Sequence, residues 1–231
     1  IMITAETALY GNIEFDDYII HTKTKNLSFL KVCKMLKDRG IKNNKFFLRL
    51  YDTDLEKVNP FDKNLSPEIQ KKIILEIKRN PFYYIREIVR IPVPGGLQRF
   101  ELHRGNLAIC WAILNNFHFF VLLPRQKYKT VTIATCLTWI FYFNTLNTHM
   151  LFSNKQLKDA ENNLKRFKGI INSLPSFIKD SIKDHLDTDN VTRIESTLFG
   201  NKIDIAGAPR SKDDADKQGR GMSIPIFWPD E

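Results

Sequence analysis

The chain has 231 residues, of which 43% are hydrophobic and 12% aromatic, and it carries a formal charge of +9 with a pI of about 9.4. That apolar content excludes an intrinsically disordered chain, and three scattered cysteines (Cys33, Cys110, Cys136) exclude a disulfide framework or a cysteine zinc site. The basic balance favours a polyanionic partner such as nucleic acid, nucleotide or acidic membrane, although many basic soluble proteins bind none of these.

In chain order, residues 1–65 read as an appendage. Within it "LSFLKVCKMLKDRG" has helical apolar spacing, and Gly40 stands where a C-cap glycine belongs. "KFFLRLY" reads as a short strand and "DTDLEKVNPFDKNLSPE" as a loop. Ser66 and Pro67 are placed as N-cap and first residue of a helix running to Arg79. Asn80 and Pro81 break it, and a further helix is expected over 82–89. "IPVPGG" reads as a loop and "FELHRGNLAICWAILNN" as helix, so residues 66–115 form a helical lead-in.

From residue 116 the pattern changes, and 116–231 reads as an α/β core. "FHFFVLL" is a strand candidate. Residues 130–143 form a helix that is apolar nearly all round and therefore deeply buried. "THMLFS" is the next strand. Residues 155–172 are amphipathic, with Leu157, Leu164, Phe167, Ile170 and Ile171 inward. A second helix starts near Pro175. "VTRIEST" and "NKIDIAGA" read as strands joined at Gly200, "PRSKDDADKQGRG" as a polar flexible segment, and "SIPIFW" as a last strand. Strands alternating with helices predict a parallel α/β sheet.

The three cysteines lie in apolar surroundings and read as buried reduced thiols, which suits a cytosolic compartment. Residues 106–123 contain Asn115, Asn116 and His118, and 131–146 fall short of the ~20 residues a bilayer requires, so neither is expected to span a membrane. No charged leader with an apolar core opens the chain. It starts at Ile1 and stops at Glu231 in mid-phrase, which reads as a piece of something longer.

One segment carries chemistry. In "HFFVLLPRQKYKTVTIATCLTWIFYF" a polar, basic stretch separates two apolar runs. It is either a surface turn between buried elements or a loop that holds phosphate. A helix N-terminus offers unpaired N–H groups and partial positive charge to an anion. Lys129 would supply a point charge for the terminal phosphates and Thr130 a hydroxyl for Mg²⁺. Against the pattern G-x-x-x-x-G-K-[ST], Leu123 and Tyr128 occupy the two glycine positions. About a hundred residues on, "IPIFWPDE" ends a short apolar strand in Asp230 and Glu231, an acid suited to Mg²⁺ and one suited to polarising water. These groups should meet in one pocket. Asp213, Asp214 and Asp216 read as a solvated loop. His21, His103, His118, His149 and His185 are too dispersed for a base or a zinc site.

These motifs together resemble the large subunit of tailed-bacteriophage terminase, the DNA-packaging motor, from about residue 80 to the end. "LPRQKYKT" looks like its variant Walker A: Arg125, Gln126, Lys127, Lys129 and Thr130 fit, and Tyr128 departs. "GRGMSIPIFWPDE" reproduces the order of an Arg-Gly-Met-Ser-like segment before the Walker B strand. "NPFYYIREIVRI…FELHRGNLAICWAILNN" is similar to the helical entry that shapes the adenine pocket, with Arg104 near where many members place a Gln.

The resemblance implies a RecA-like ASCE P-loop fold with ATP and Mg²⁺ as cofactors. It implies nucleotide contacts from Arg125, Gln126, Lys127, Tyr128, Lys129, Thr130 and Arg104. Metal binding would fall to Thr130 and Asp230. Catalysis would fall to Glu231 on water and to Arg125 as an arginine finger in cis. It further implies double-stranded DNA, a portal and a small terminase subunit as partners, a ring oligomer at work, and host-cell cytoplasm as the location. The coupling motif and nuclease domain that follow in a whole large terminase are not in these 231 residues, so a remaining C-terminal part or a second chain would complete the motor. The "NNLKRFKG" helix face and the "APRSKDDADKQGR" loop are DNA-contact candidates that read equally as solvated faces. Two other readings stay open: a helicase-like ASCE motor, and a nucleotide-incompetent DNA-binding or assembly module.

Overall fold

The computed structural model describes residues 19–124, 128–183, 186–209 and 223–230. The chain is α/β and divides into two compact units, Ile1–Cys136 and Leu137–Glu231.

In the first unit β1 (Ile19–Ile20) pairs antiparallel with β2 (Arg49–Leu50). Between them α1 (Leu27–Asp38) buries Phe29, Val32, Cys33 and Leu36, one face at helical spacing. It stops where expected: Gly40 takes φ 82°, and the N–H of Ile41 bonds back to Leu36 O at 3.0 Å. The strand expected over "KFFLRLY" shrinks to Arg49–Leu50, because Phe46–Leu48 forms a 3₁₀ turn. Phe47 and Leu48 are adjacent and both buried, which the alternation of a strand facing one core forbids.

Helix α2 (Pro67–Arg79) begins as the sequence predicts, with Ser66 Oγ accepting from Ile69 N at 3.4 Å and Pro67 in the first turn. Asn80 ends α2 and caps α3 (Pro81–Tyr83), accepting from Tyr83 N at 3.0 Å; α3 continues as a π-helical turn over Tyr84–Ile88. The "IPVPGG" loop is instead a hairpin of β3 (Arg90–Val93) and β4 (Gly96–Arg99). Pro94 and Gly95 make its two-residue turn, and Gly95 supplies the φ of 93° that a side chain resists. Helix α4 (Arg104–Leu114) follows.

The strand expected at residues 117–123 is absent. The segment belongs to none of the sheets, and Phe120 and Leu122 are 99% and 95% exposed. Apolar composition favours a strand only where a neighbour takes up the backbone hydrogen bonds, and no described strand does so here. Helix α5 (Lys129–Trp139) then runs on through a π-helical stretch, Ile140–Asn144. It is buried on every side, as predicted: Ala134, Cys136, Thr132, Thr135 and Thr138 are all inaccessible to solvent. Threonine tolerates such a site because its hydroxyl can bond the helix's own carbonyls, as Thr132 Oγ1 does to Tyr128 O at 2.8 Å.

The second unit holds a five-stranded sheet. Its strands are β5 (His149–Asn154), β6 (Leu186–Asp189), β7 (Arg193–Ser196), β8 (Asn201–Gly207) and β9 (Ile226–Asp230), in the order β6-β7-β8-β5-β9. The predicted parallel sheet is realised only in β8-β5-β9; β6 and β7 run antiparallel, so the sheet is mixed. Strand β6, "LDTD", carries no apolar alternation and was not legible as a strand.

Met150, Phe152, Ile194, Ile203 and Trp228 share one buried face of this sheet. Against it lies α6 (Leu157–Asn172), through Leu164, Phe167 and Ile170. Phe167 meets Phe141 and Phe152 with ring centroids 5.7 and 5.9 Å apart. Leu157, expected inward, is 46% exposed, because it opens the helix before the apolar stripe is established. Helix α7 (Ser176–Lys183) packs Ile178 and Ile182. Buried Asn201 fixes one end of the sheet: its Nδ2 donates to Phe141 O at 2.7 Å and Thr145 O at 2.8 Å, and its Oδ1 accepts from Thr148 N. All three cysteines are buried and free, and no described helix is long and apolar enough to cross a membrane.

The first unit is organised around Arg86, which has no solvent exposure. Its Nε donates to Glu87 Oε1 at 3.0 Å, and its Nη atoms donate to the carbonyls of Phe47 and Arg49. Glu87 also accepts from the Thr24 hydroxyl and lies 3.6 Å from Arg99 and 3.8 Å from His21 Nε2. Asn26 Nδ2 bonds Arg86 O and Phe100 O, and Glu76 takes the N–H groups of Tyr51 and Asp52. Residues 21–52 are thereby tied to residues 76–100.

Two outcomes follow for urea unfolding of this unit. Arg86→Met removes the closest charge partner of buried Glu87 and the guanidinium bond to the Phe47 carbonyl, and is expected to cost about 3–5 kcal/mol. Burial, then the Arg86 charge, hold His21 below its ordinary 6.5. The unfolded chain therefore takes up the proton first, so stability is full above pH 6.5 and falls as pH drops below it. His21→Asn should flatten that part of the slope.

Candidate functional site

Tyr128, Lys129 and Thr130 form the entry to α5. Tyr128 has φ 58°, the left-handed region that glycine favours and a tyrosine enters at a cost of about 1–2 kcal/mol. This is the position at which the phosphate-loop pattern places its second glycine. The left-handed residue turns the chain into the helix, and Tyr128 O then accepts from both Thr132 N (2.9 Å) and Thr132 Oγ1. Lys129 and Thr130 are the first two helical residues, half-buried, at the end where backbone N–H groups lack intrahelical acceptors.

The start of α4 packs beside this entry. His103 precedes the helix, and its ring stacks on Tyr128 with centroids 6.1 Å apart and planes 25° from parallel. A Cβ added to Gly105 would stand 3.8 Å from both Leu123 methyls, so the residue at the pattern's first glycine position lies against the first turn of α4. Arg104, exposed, is the first residue of that turn. Arg125, Gln126 and Lys127, three predicted nucleotide contacts, lie outside the described residues, as does Glu231.

In the second unit Asp230 closes β9. Register places it beside Asn154 at the end of β5, which in turn pairs with Gly207 at the end of β8. The carboxyl ends of three parallel strands thus lie side by side, the edge at which open α/β sheets bind ligands. Asp230 Oδ2 accepts from Asn163 Nδ2 at 3.1 Å, and Arg166 Nη1 donates to Asn163 Oδ1 at 2.8 Å. Asn163 is 2% exposed, so the carboxylate is oriented by a fixed amide. The sequence reading missed Asn163 and His103. Asn163 had a signal: a polar residue on the inner stripe of an amphipathic helix needs a buried partner. His103 had none, because its contact with Tyr128 joins residues 25 positions apart.

No described group of three or more His, Cys, Asp or Glu is placed to hold a metal ion. Mg²⁺ does not need one: it is held by one or two carboxylates together with phosphate oxygens and water. The predicted reading of "SKDDADKQ" lies outside the described residues.

His149 is paired rather than poised for chemistry. Its Nε2 lies 2.8 Å from Asp204 Oδ2, Arg193 Nε lies 2.6 Å from Asp204 Oδ1, and Lys202 is 3.6 Å away. Burial works to raise the Asp204 carboxyl, but the Arg193 bond and charge, with His149 and Lys202, outweigh it and hold it below its ordinary value. The cluster ties β5, β7 and β8 together across the sheet face opposite α6.

No known protein family matches this chain, and no curated protein matches it.

The conformation of Tyr128 yields a test that needs no ligand. Tyr128→Gly and Tyr128→Asn, which tolerate φ 58°, should fold at least as stably as the parent. Tyr128→Val, whose branched Cβ does not, should lose about 1–2 kcal/mol by denaturant midpoint.

Proposed function

We propose that this chain is the ATPase part of a viral DNA-packaging terminase, a RecA-like P-loop motor that uses ATP hydrolysis to drive duplex DNA into a procapsid. The observation that carries the reading is the entry to α5: a residue at φ 58°, then Lys129 and Thr130 opening a buried helix. A left-handed residue at that position is what the second glycine of a phosphate-binding loop supplies, and this supports the reading. The carboxylate of Asp230, at the carboxyl end of a parallel strand and oriented by Asn163, supports it.

In this mechanism Lys129 and the first N–H groups of α5 bind the terminal phosphates and neutralise their charge. Thr130 and Asp230 are the residues that would hold Mg²⁺, which when bound supplies charge stabilisation on the transferred phosphoryl group. Glu231 orients and polarises the attacking water, and Arg125 stabilises charge on the transferred group. The reading carries with it the partners of such a motor: duplex DNA, a portal, a small terminase subunit, further copies in a ring, and the segments that complete the site. It places the protein in host-cell cytoplasm during virion assembly.

A second reading is favoured by residues 117–123, which lie in no sheet although they lead into the loop. It holds that the isolated chain is a nucleotide-incompetent assembly or DNA-binding module. Calorimetric titration with ATP·Mg²⁺ separates the two. On the motor reading the wild-type chain binds weakly, Lys129→Ala abolishes binding, and Glu231→Gln spares binding while stopping turnover. Indistinguishable wild-type and Lys129→Ala traces remove the motor reading for this chain.

A further inference from the structure

Tyr128 holds a conformation that a glycine would hold without strain, so its side chain is what the position gains in exchange. Core packing does not account for it, because Tyr128 is 43% exposed. Its described ring neighbour is His103, 6.1 Å away and 25° from parallel, which is itself 55% exposed and lies 3.5 Å from Glu101. The Tyr128 ring, which directly precedes Lys129 in sequence, therefore lies beside a second partly exposed ring 25° from parallel. His103 lies against Tyr128 on one side.

From this arrangement, and resting on the nucleotide reading above, we propose that the Tyr128 ring, braced by His103, is the platform on which the base of the bound nucleotide stacks. Phosphates are then held by Lys129 and the start of α5, and the base by an aromatic face contributed by the neighbouring residue. A flat π-surface accepts any base, so the platform favours nucleotides over bare polyphosphate without reading hydrogen-bond patterns. Arg104, exposed on the first turn of α4, stands next to His103 in sequence and adds positive charge at that helix start.

The test compares ATP with inorganic tripolyphosphate, each with Mg²⁺, on the 231-residue chain. Tyr128→Gly should weaken ATP about tenfold, as the loss of one base–aromatic stack does, and leave tripolyphosphate unchanged. Tyr128→Phe should retain ATP binding, and His103→Ala should weaken ATP by a smaller factor with no effect on tripolyphosphate. The platform is overturned if Tyr128→Gly binds ATP as tightly as wild type, or weakens both ligands by the same factor. It is also overturned if wild type binds tripolyphosphate but not ATP. Lys129→Ala is the separate control: tripolyphosphate binding unaffected by it overturns the phosphate-loop reading, and with it the platform, as does a wild type that binds neither ligand.

Discussion

A guanidinium with no access to water sits at the centre of the first unit, and that unit depends on its being neutralised. Arg86 reaches Glu87 and the carbonyls of Phe47 and Arg49, and burial pushes its pKa down from the usual arginine value. A buried charge is tolerated only when its hydrogen bonds are complete, so the segments that supply acceptors are fixed relative to one another. This explains why a region rich in turns, with β-strands of only two to four residues, holds a defined structure. Its order comes from long-range polar contacts laid over an aromatic core that includes Phe29, Phe47 and Phe82.

The same unit presents the entry to α5. Helix α5 is buried on all sides from Thr132 onward. The turn into the helix falls on Tyr128, and a left-handed conformation is the geometric consequence. At that position the Tyr128 side chain meets His103.

The second unit uses a different constraint. Parallel pairing of β8, β5 and β9 brings strand ends from distant parts of the chain to one edge, and α6 covers one face. Asp230 is positioned by this arrangement twice over, by strand register and by the Asn163 amide that Arg166 in turn holds. The ion pairs around Asp204 lock the opposite face, which explains why His149 is structural despite being a histidine near a sheet.

Local chemistry made much of this legible. Ser66-Pro67 and Gly40 marked helix ends because capping depends on a few adjacent residues. The apolar periodicity of α1 and α6 and the uniformly apolar α5 marked helices because burial follows 3.6-residue spacing. The Lys-Thr pair and the terminal acid could be named as candidates because their residue types carry the chemistry. Other features needed the folded chain. Whether residues 117–123 become a strand depends on a partner that their own composition cannot specify. The "LDTD" strand exists because β7 offers it an edge, and the hairpin at Pro94 exists because β3 and β4 meet. The Tyr128–His103 stack, the Asn163–Asp230 bond and the Arg86 network all join residues far apart in the chain. Sequence alone thus settled which segments could be helices and which side chains could act. Tertiary structure decided pairing, register and neighbourhood, because these energies belong to contacts between segments rather than to any one of them.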